Sequence, residues 1–149
     1  MKPSSHLIAS AVVSTSIYMQ TKSETVSIVS FLSGFLIDID HCIDYVREYG
    51  FKTDVKEFFR IFHETRFKKL FLVFHAWEWL PLLLFLAWFY QWNEIILGVF
   101  IGVFHHLILD QFANGFSVWG YSIIYRAKKR FYMQNIVLES VIKRKRNEF

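Results

Sequence analysis

The sequence predicts an all-α integral membrane protein: a bundle of four transmembrane helices with an amphipathic helix on its cytoplasmic face. Three observations carry this expectation. Apolar residues make up 54% of the 149, aromatics 19%, and mean hydropathy is +0.28. Gly (6) and Pro (2) are too few for a disordered chain or a turn-rich β fold. The charges fall in blocks that leave long runs bare: 7–19 and 26–37 hold none, 70–90 holds only His75 and Glu78, and 95–109 only His105 and His106.

Extended to their flanks, these runs give spans at about 5–21, 25–44, 70–90 and 94–112, each near the ~20 residues that cross ~30 Å of hydrocarbon. The first two carry Ser and Thr. The last two are more continuous, and 82–90 is apolar on every helical face, where a soluble helix would show a polar stripe. The first run has one preceding lysine, Lys2, and no small-residue cleavage site, so it reads as an uncleaved span. Residues 52–67 set Val55, Phe58, Phe59, Ile61 and Phe62 against Lys56, Glu57 and Arg60, the pattern of an interfacial helix. Residues 126–149 form a basic tail. No internal repeat or low-complexity segment is visible, and the chain reads as a single membrane domain, 1–149.

Orientation follows from the basic residues. With the N-terminus inside, sixteen of the 17 Lys and Arg lie in the cytoplasm and only Lys22 lies outside. Both termini are then cytoplasmic, and Trp88, Tyr90 and Trp92 form an outer aromatic belt. The net charge of +4 and the run Lys143-Arg144-Lys145-Arg146 suit an anchor to anionic lipid, and no nucleic-acid partner is expected. A single cysteine, Cys42, excludes a disulfide framework and a Cys₄ zinc site.

Ionisable side chains in spans cost roughly 2.5–3.5 kcal/mol each, so several together need a reason. This topology brings His6, then Asp38, Asp40, His41 and Asp44, then His75 and Glu78, then His105, His106 and Asp110 to one depth, the inner leaflet. Asp38/His41 and His75/Glu78 are spaced (i, i+3) and His106/Asp110 (i, i+4), so each pair shares a helical face. An imidazole and carboxylate set without thiolates suits zinc, with manganese or iron as alternatives, and this many ligands suits roughly one to three ions. The expected metal residues are His6, Asp38, Asp40, His41, His75, Glu78, His106 and Asp110. Plainer readings stand beside this one: His6 as an interfacial polar residue, Asp38 to His41 as a helix-end cluster, His75 with Glu78 as an interhelical pair. His105, about 100° from His106 around a helix, reads as interhelical, and His63 is open.

The elements His6-Leu7-Ile8, Ile37-Asp38-Ile39-Asp40-His41 and Gly102-Val103-Phe104-His105-His106-Leu107-Ile108-Leu109-Asp110 resemble the small inner-membrane metal-dependent hydrolases of the LexA-binding, inner-membrane-associated type. About a dozen positions between residues 6 and 120 carry the resemblance. Ile37 stands where that family usually has Pro, and its His-Arg-x-x-Thr-His-Ser stretch has no clean counterpart, His75-Ala76-Trp77-Glu78 taking the place. The His-x-x-x-Asp element is also similar to one in zinc-dependent phospholipase C enzymes. The resemblance implies a bacterial inner-membrane location and a metal-dependent hydrolase acting on a phosphoester. With the site at the cytoplasmic leaflet, a lipid or lipid-linked substrate is expected. Asp40 or Asp44 would accept a proton, and Arg66, Lys68, Lys69 or Arg126 would hold the substrate phosphate. A divalent-metal transporter, sensor or adaptor without catalysis is the alternative.

Overall fold

The computed structural model describes residues 3–51, 54, 56, 58, 60, 61, 67–114 and 117–137. Lys2, His63, Arg66, the basic tail from residue 138 and most of the expected surface helix lie outside them. Among the described residues the protein is helical and has no strand, only an isolated antiparallel bridge between Lys69 and Tyr132. The elements are α1 (Pro3–Thr21), α2 (Glu24–Leu36), α3 (Ile39–Tyr49), α4 (Trp79–Phe89), α5 (Glu94–Ala113) and α6 (Ile123–Lys128), with short 3₁₀ turns at Val118–Tyr121 and Met133–Asn135. The chain divides into two compact units, 1–38 with 74–114, and 39–73 with 115–149.

The first unit holds α1, α2, α4 and α5. Its helix starts follow from local capping. Ser23 accepts the Val26 N–H at 3.1 Å to open α2. Asn93 Oδ1 accepts from Ile95 and Ile96 at 3.0 and 3.3 Å to open α5. The α2/α5 contact is the most extensive, with α1 on α2 and α4 on α5 beside it. Small residues line the α2/α5 seam. A Cβ on Gly102 would stand 2.7 Å from the Ser30 carbonyl oxygen and 2.8 Å from the Gly34 nitrogen, both backbone atoms, so the two helices touch where only glycine fits.

This unit buries a set of polar side chains beside Val26, Ile37, Ala87, Val103 and Leu107, and exposes many large apolar ones. His6, Ser10, Ser30, His75, His106 and Asp110 are all at most 2% exposed. Ile8, Val12, Met19, Ile28, Trp88, Phe89 and Phe112 are each more than half exposed.

Among the described residues, two helical stretches are long and apolar enough to cross a membrane: Glu24–Tyr49, which takes in α2 and α3, and Glu94–Ala113. The expected third span, 70–90, is shorter than the sequence suggested. Only Trp79–Phe89 is helical there, 11 residues or about 16 Å. Pro81 explains part of the difference, since inside a helix begun at residue 70 its ring would strike the carbonyl of Trp77, while in a first turn it is tolerated. Residues 68–72 are irregular instead, and their N–H groups bond to acceptors distant in sequence. Glu48 accepts from Lys68 N–H at 2.8 and 2.9 Å. Asp44 Oδ2 accepts from Phe71 and Leu72 at 2.8 and 3.1 Å. The expected second span, 25–44, falls within Glu24–Tyr49, with a turn at Ile37 and Asp38.

The second unit packs Tyr45, Ile61, Phe67, Leu70, Leu72, Met133 and Val137 into a common core. Leu72 has φ +45°, a left-handed conformation unusual for a side chain of this size. It is pinned from both sides, with its N–H on Asp44 and its carbonyl accepting from the buried Arg126 Nη2 at 2.9 Å. Hydrogen bonds to a charged group are worth about 1.5–3 kcal/mol. Asp44→Ala is therefore expected to lower the melting temperature of detergent-purified protein clearly, whereas Asp44→Asn, which keeps an acceptor oxygen, recovers most of it. Equal melting of the two variants would refute the role.

Candidate metal centre

The site grows from four places in the first unit. His6 lies in the second turn of α1, His106 and Asp110 lie one turn apart near the end of α5, Asp38 lies in the turn after α2, and His75 lies in the irregular segment before α4. The Nε2 atoms of His75 and His106 are 3.0 Å apart. Asp38 Oδ1 is 3.3 Å from His75 Nε2 and 3.4 Å from His106 Nε2. Asp110 Oδ2 is 3.6 Å from each of the same two nitrogens. The second oxygen of Asp110, Oδ1, is 3.0 Å from His6 Nε2, and the His6 ring stacks on that of His106 at 4.0 Å.

These spacings fit a cation. A tetrahedral zinc with ligands at 2.0–2.1 Å has ligand-to-ligand edges of about 3.3–3.4 Å. The five contacts among His75 Nε2, His106 Nε2, Asp38 Oδ1 and Asp110 Oδ2 run from 3.0 to 3.6 Å, around that value. The donor chemistry agrees, since His and carboxylate together suit zinc and its neighbours. Two buried or half-buried carboxylates facing neutral imidazoles would also leave negative charge out of water, at high cost without a compensating cation or protons. The buried trio His6, His106 and Asp110 brings one donor atom from each to within 4.8 Å.

Outer contacts orient the ligands. The His106 Nδ1–H donates to the carbonyl of Gly34 at 2.8 Å, which in the neutral ring leaves the Nε2 lone pair facing the cluster. His105 turns elsewhere, with Nε2 3.0 Å from Ser10 Oγ and Nδ1 3.0 Å from the Ile101 carbonyl. Its ring packs against Gly34, where an added Cβ would collide with Cε1.

Of the expected ligands that belong to the first unit, His6, Asp38, His75, His106 and Asp110 come together. His75 reaches the cluster from an irregular segment, so the helical face expected to pair it with Glu78 does not exist. Glu78 is half-buried and immediately precedes α4. Asp38 lies in the turn between α2 and α3. Asp40, His41 and Asp44 lie on α3 in the second unit, Asp40 and Asp44 buried and His41 half-buried. Asp44, expected as a proton acceptor, holds the 71–72 backbone. Among the residues expected at a substrate phosphate, Lys68 and Lys69 are exposed, while Arg126 is fully buried and bonded to Leu72. The Gly34 carbonyl, which fixes His106, was invisible as a functional group in the sequence. Its only signal is the run of small residues Ser30, Ser33 and Gly34 ahead of Asp38.

Compared with known proteins, the chain matches no family model, no curated protein and no solved structure.

Proposed function

We propose that the protein is a membrane-embedded, metal-dependent hydrolase that cleaves a phosphoester of a lipid or lipid-linked substrate at the cytoplasmic leaflet. One observation supports this above all: two imidazole nitrogens and two carboxylate oxygens converge at metal-ligand spacing inside a unit whose outer surface is apolar. In this reading His75, His106, Asp38 and Asp110 hold a divalent cation, zinc before manganese or iron, and His6 holds the free oxygen of Asp110. Such a cation supplies Lewis acidity and brings a water's pKa toward ~7. Asp38, whose side chain is 24% exposed, offers a carboxylate to solvent and accepts a proton from an entering water. The membrane reading keeps four spans with both termini cytoplasmic. It rests on the charge distribution and on the large apolar side chains that the first unit exposes around its buried polar cluster. Kinship with the inner-membrane hydrolases rests on His6, Asp38-x-Asp40-His41 and His106-x-x-x-Asp110.

Metal analysis of detergent-purified protein, with a panel of phospholipid and phosphomonoester substrates, tests the proposal. Roughly one to three equivalents of zinc, manganese or iron and metal-dependent turnover are expected. Protein that stays metal-free after reconstitution would sink it.

One observation favours a second reading, a divalent-metal carrier. His6, Ser10 and Ser14 share a face of α1 at four-residue intervals. Ser14 Oγ donates to the Ser27 carbonyl at 2.6 Å, and Ser27 Oγ to the Ser23 carbonyl at 2.9 Å, so hydroxyls continue to the far end of the α1/α2 hairpin. Metal uptake into proteoliposomes, without substrate turnover, would favour the carrier.

A further inference from the structure

The second unit turns its carboxylates inward and its cations and apolar side chains outward. On α3, Asp40 and Asp44 are 1% and 3% exposed, while Ile39, Ile43 and Val46 on a separate face are 55%, 45% and 41% exposed. Glu48 is occupied by the backbone of Lys68 and Lys69. Among the described residues of this unit, Asp54 is then the one exposed acid, against eight exposed Lys and Arg that include Arg47, Lys68, Lys69, Lys128, Lys129 and Arg130. Over the whole chain, fifteen of the 17 basic residues belong to this unit. Beside these cations stand Val118, Trp119 and Ile124, exposed by 65%, 66% and 58%. Lys69 Nζ lies 5.1 Å from the Tyr132 ring centroid and Lys129 Nζ 5.6 Å from that of Tyr125.

We infer that the second unit binds an anionic bilayer surface, with Trp119 and its apolar neighbours inserted below the head groups and the exposed Lys and Arg side chains on lipid phosphates. The inward use of Asp40, Asp44 and Glu48 removes the charges that would repel such a surface. Cations alone would suit nucleic acid equally, but exposed Trp, Ile and Val gain nothing from a phosphate backbone and do gain from leaving water among acyl chains. Aromatic rings beside cations are the residue pairing of membrane interfaces. This inference needs no metal and goes beyond the hydrolase reading.

Trp119 is the one tryptophan of the second unit, which gives a direct test. Full-length protein with Trp77, Trp79, Trp88 and Trp92 changed to Phe is reconstituted in vesicles of phosphatidylcholine with or without phosphatidylglycerol. With phosphatidylglycerol present, Trp119 emission is expected to be quenched by brominated acyl chains and shielded from aqueous iodide. Each basic side chain at an anionic surface is worth about fivefold in partitioning. Changing Lys128, Lys129 and Arg130 together to Gln should therefore abolish the shielding, while metal content, measured on the same samples, is unchanged. A benzophenone amino acid at position 119 of the otherwise unaltered chain gives a second measurement, with crosslinking to lipid expected. Trp119 open to iodide at every lipid composition overturns the inference, as does shielding by duplex DNA but not by vesicles.

Discussion

On the metal-hydrolase reading, replacing Asp110 with alanine is expected to abolish divalent-cation binding and turnover in the same step. Asp110 is 2% exposed and divides its two oxygens between His6 on one side and His75 with His106 on the other. Losing even an outer hydrogen-bond partner of a metal ligand costs about 10–100-fold in affinity, and Asp110→Ala removes a ligand and an outer partner together. Asp110→Asn keeps the shape and removes the charge, so metal loss without unfolding is expected there. His105→Ala is the internal control, because His105 bonds Ser10 and Ile101 and stands outside the cluster. Elemental analysis and circular dichroism on the three variants decide the matter. Full metal in folded Asp110→Ala, or metal loss in His105→Ala as large as in Asp110→Ala, would refute this assignment of the ligands.

The second large effect is expected from one methyl group. Gly102→Ala places a carbon against Ser33 Oγ, the Ser30 carbonyl and the Gly34 nitrogen. The side chain of Ser33 can turn away, but two backbone atoms of α2 cannot. Overpacking of this kind costs about 1–3 kcal/mol and more where the backbone must move. The damage reaches the site, because the α2 backbone displaced is that of Gly34, whose carbonyl holds His106. Gly102→Ala should thus lower both thermal stability and metal affinity, although residue 102 touches no ligand atom. Gly50→Ala, at a glycine with φ +76° and open space around it, should destabilise without changing metal affinity. Melting curves and metal titrations separate the two. Unchanged metal affinity in Gly102→Ala would break the proposed link between helix packing and the cluster.

Helix content and the chemistry of the cluster were legible in the sequence, and segment shape was not. The uncharged runs at 7–19, 26–37 and 95–109 mark α1, α2 and α5, because a helix that faces apolar surroundings must be apolar along its length. His106 and Asp110 were readable as a pair since a four-residue interval on a helix fixes their common face. The sequence points to His75 as a helical partner of Glu78, whereas it reaches the cluster from an irregular segment. Hydropathy reports where apolar side chains are but not what the backbone does with its N–H groups. At 68–72 those groups go to Glu48, Asp44 and the Phe131 carbonyl, distant acceptors that no local pattern announces. Arg126 shows the same limit. A basic residue at the edge of an apolar run reads as a surface contact, yet it is fully buried against the Leu72 carbonyl.

Of the five residues gathered at the cluster, four are at most 2% exposed, and only Asp38 keeps a quarter of its side chain in contact with solvent. A cation held by these five residues would meet solvent through Asp38, the one partly exposed member of the set. Its exchange is then expected to be slow compared with that at a shallow site of equal affinity. On that reading the ion found in purified protein would record which ion was abundant during assembly more than which ion binds best at equilibrium.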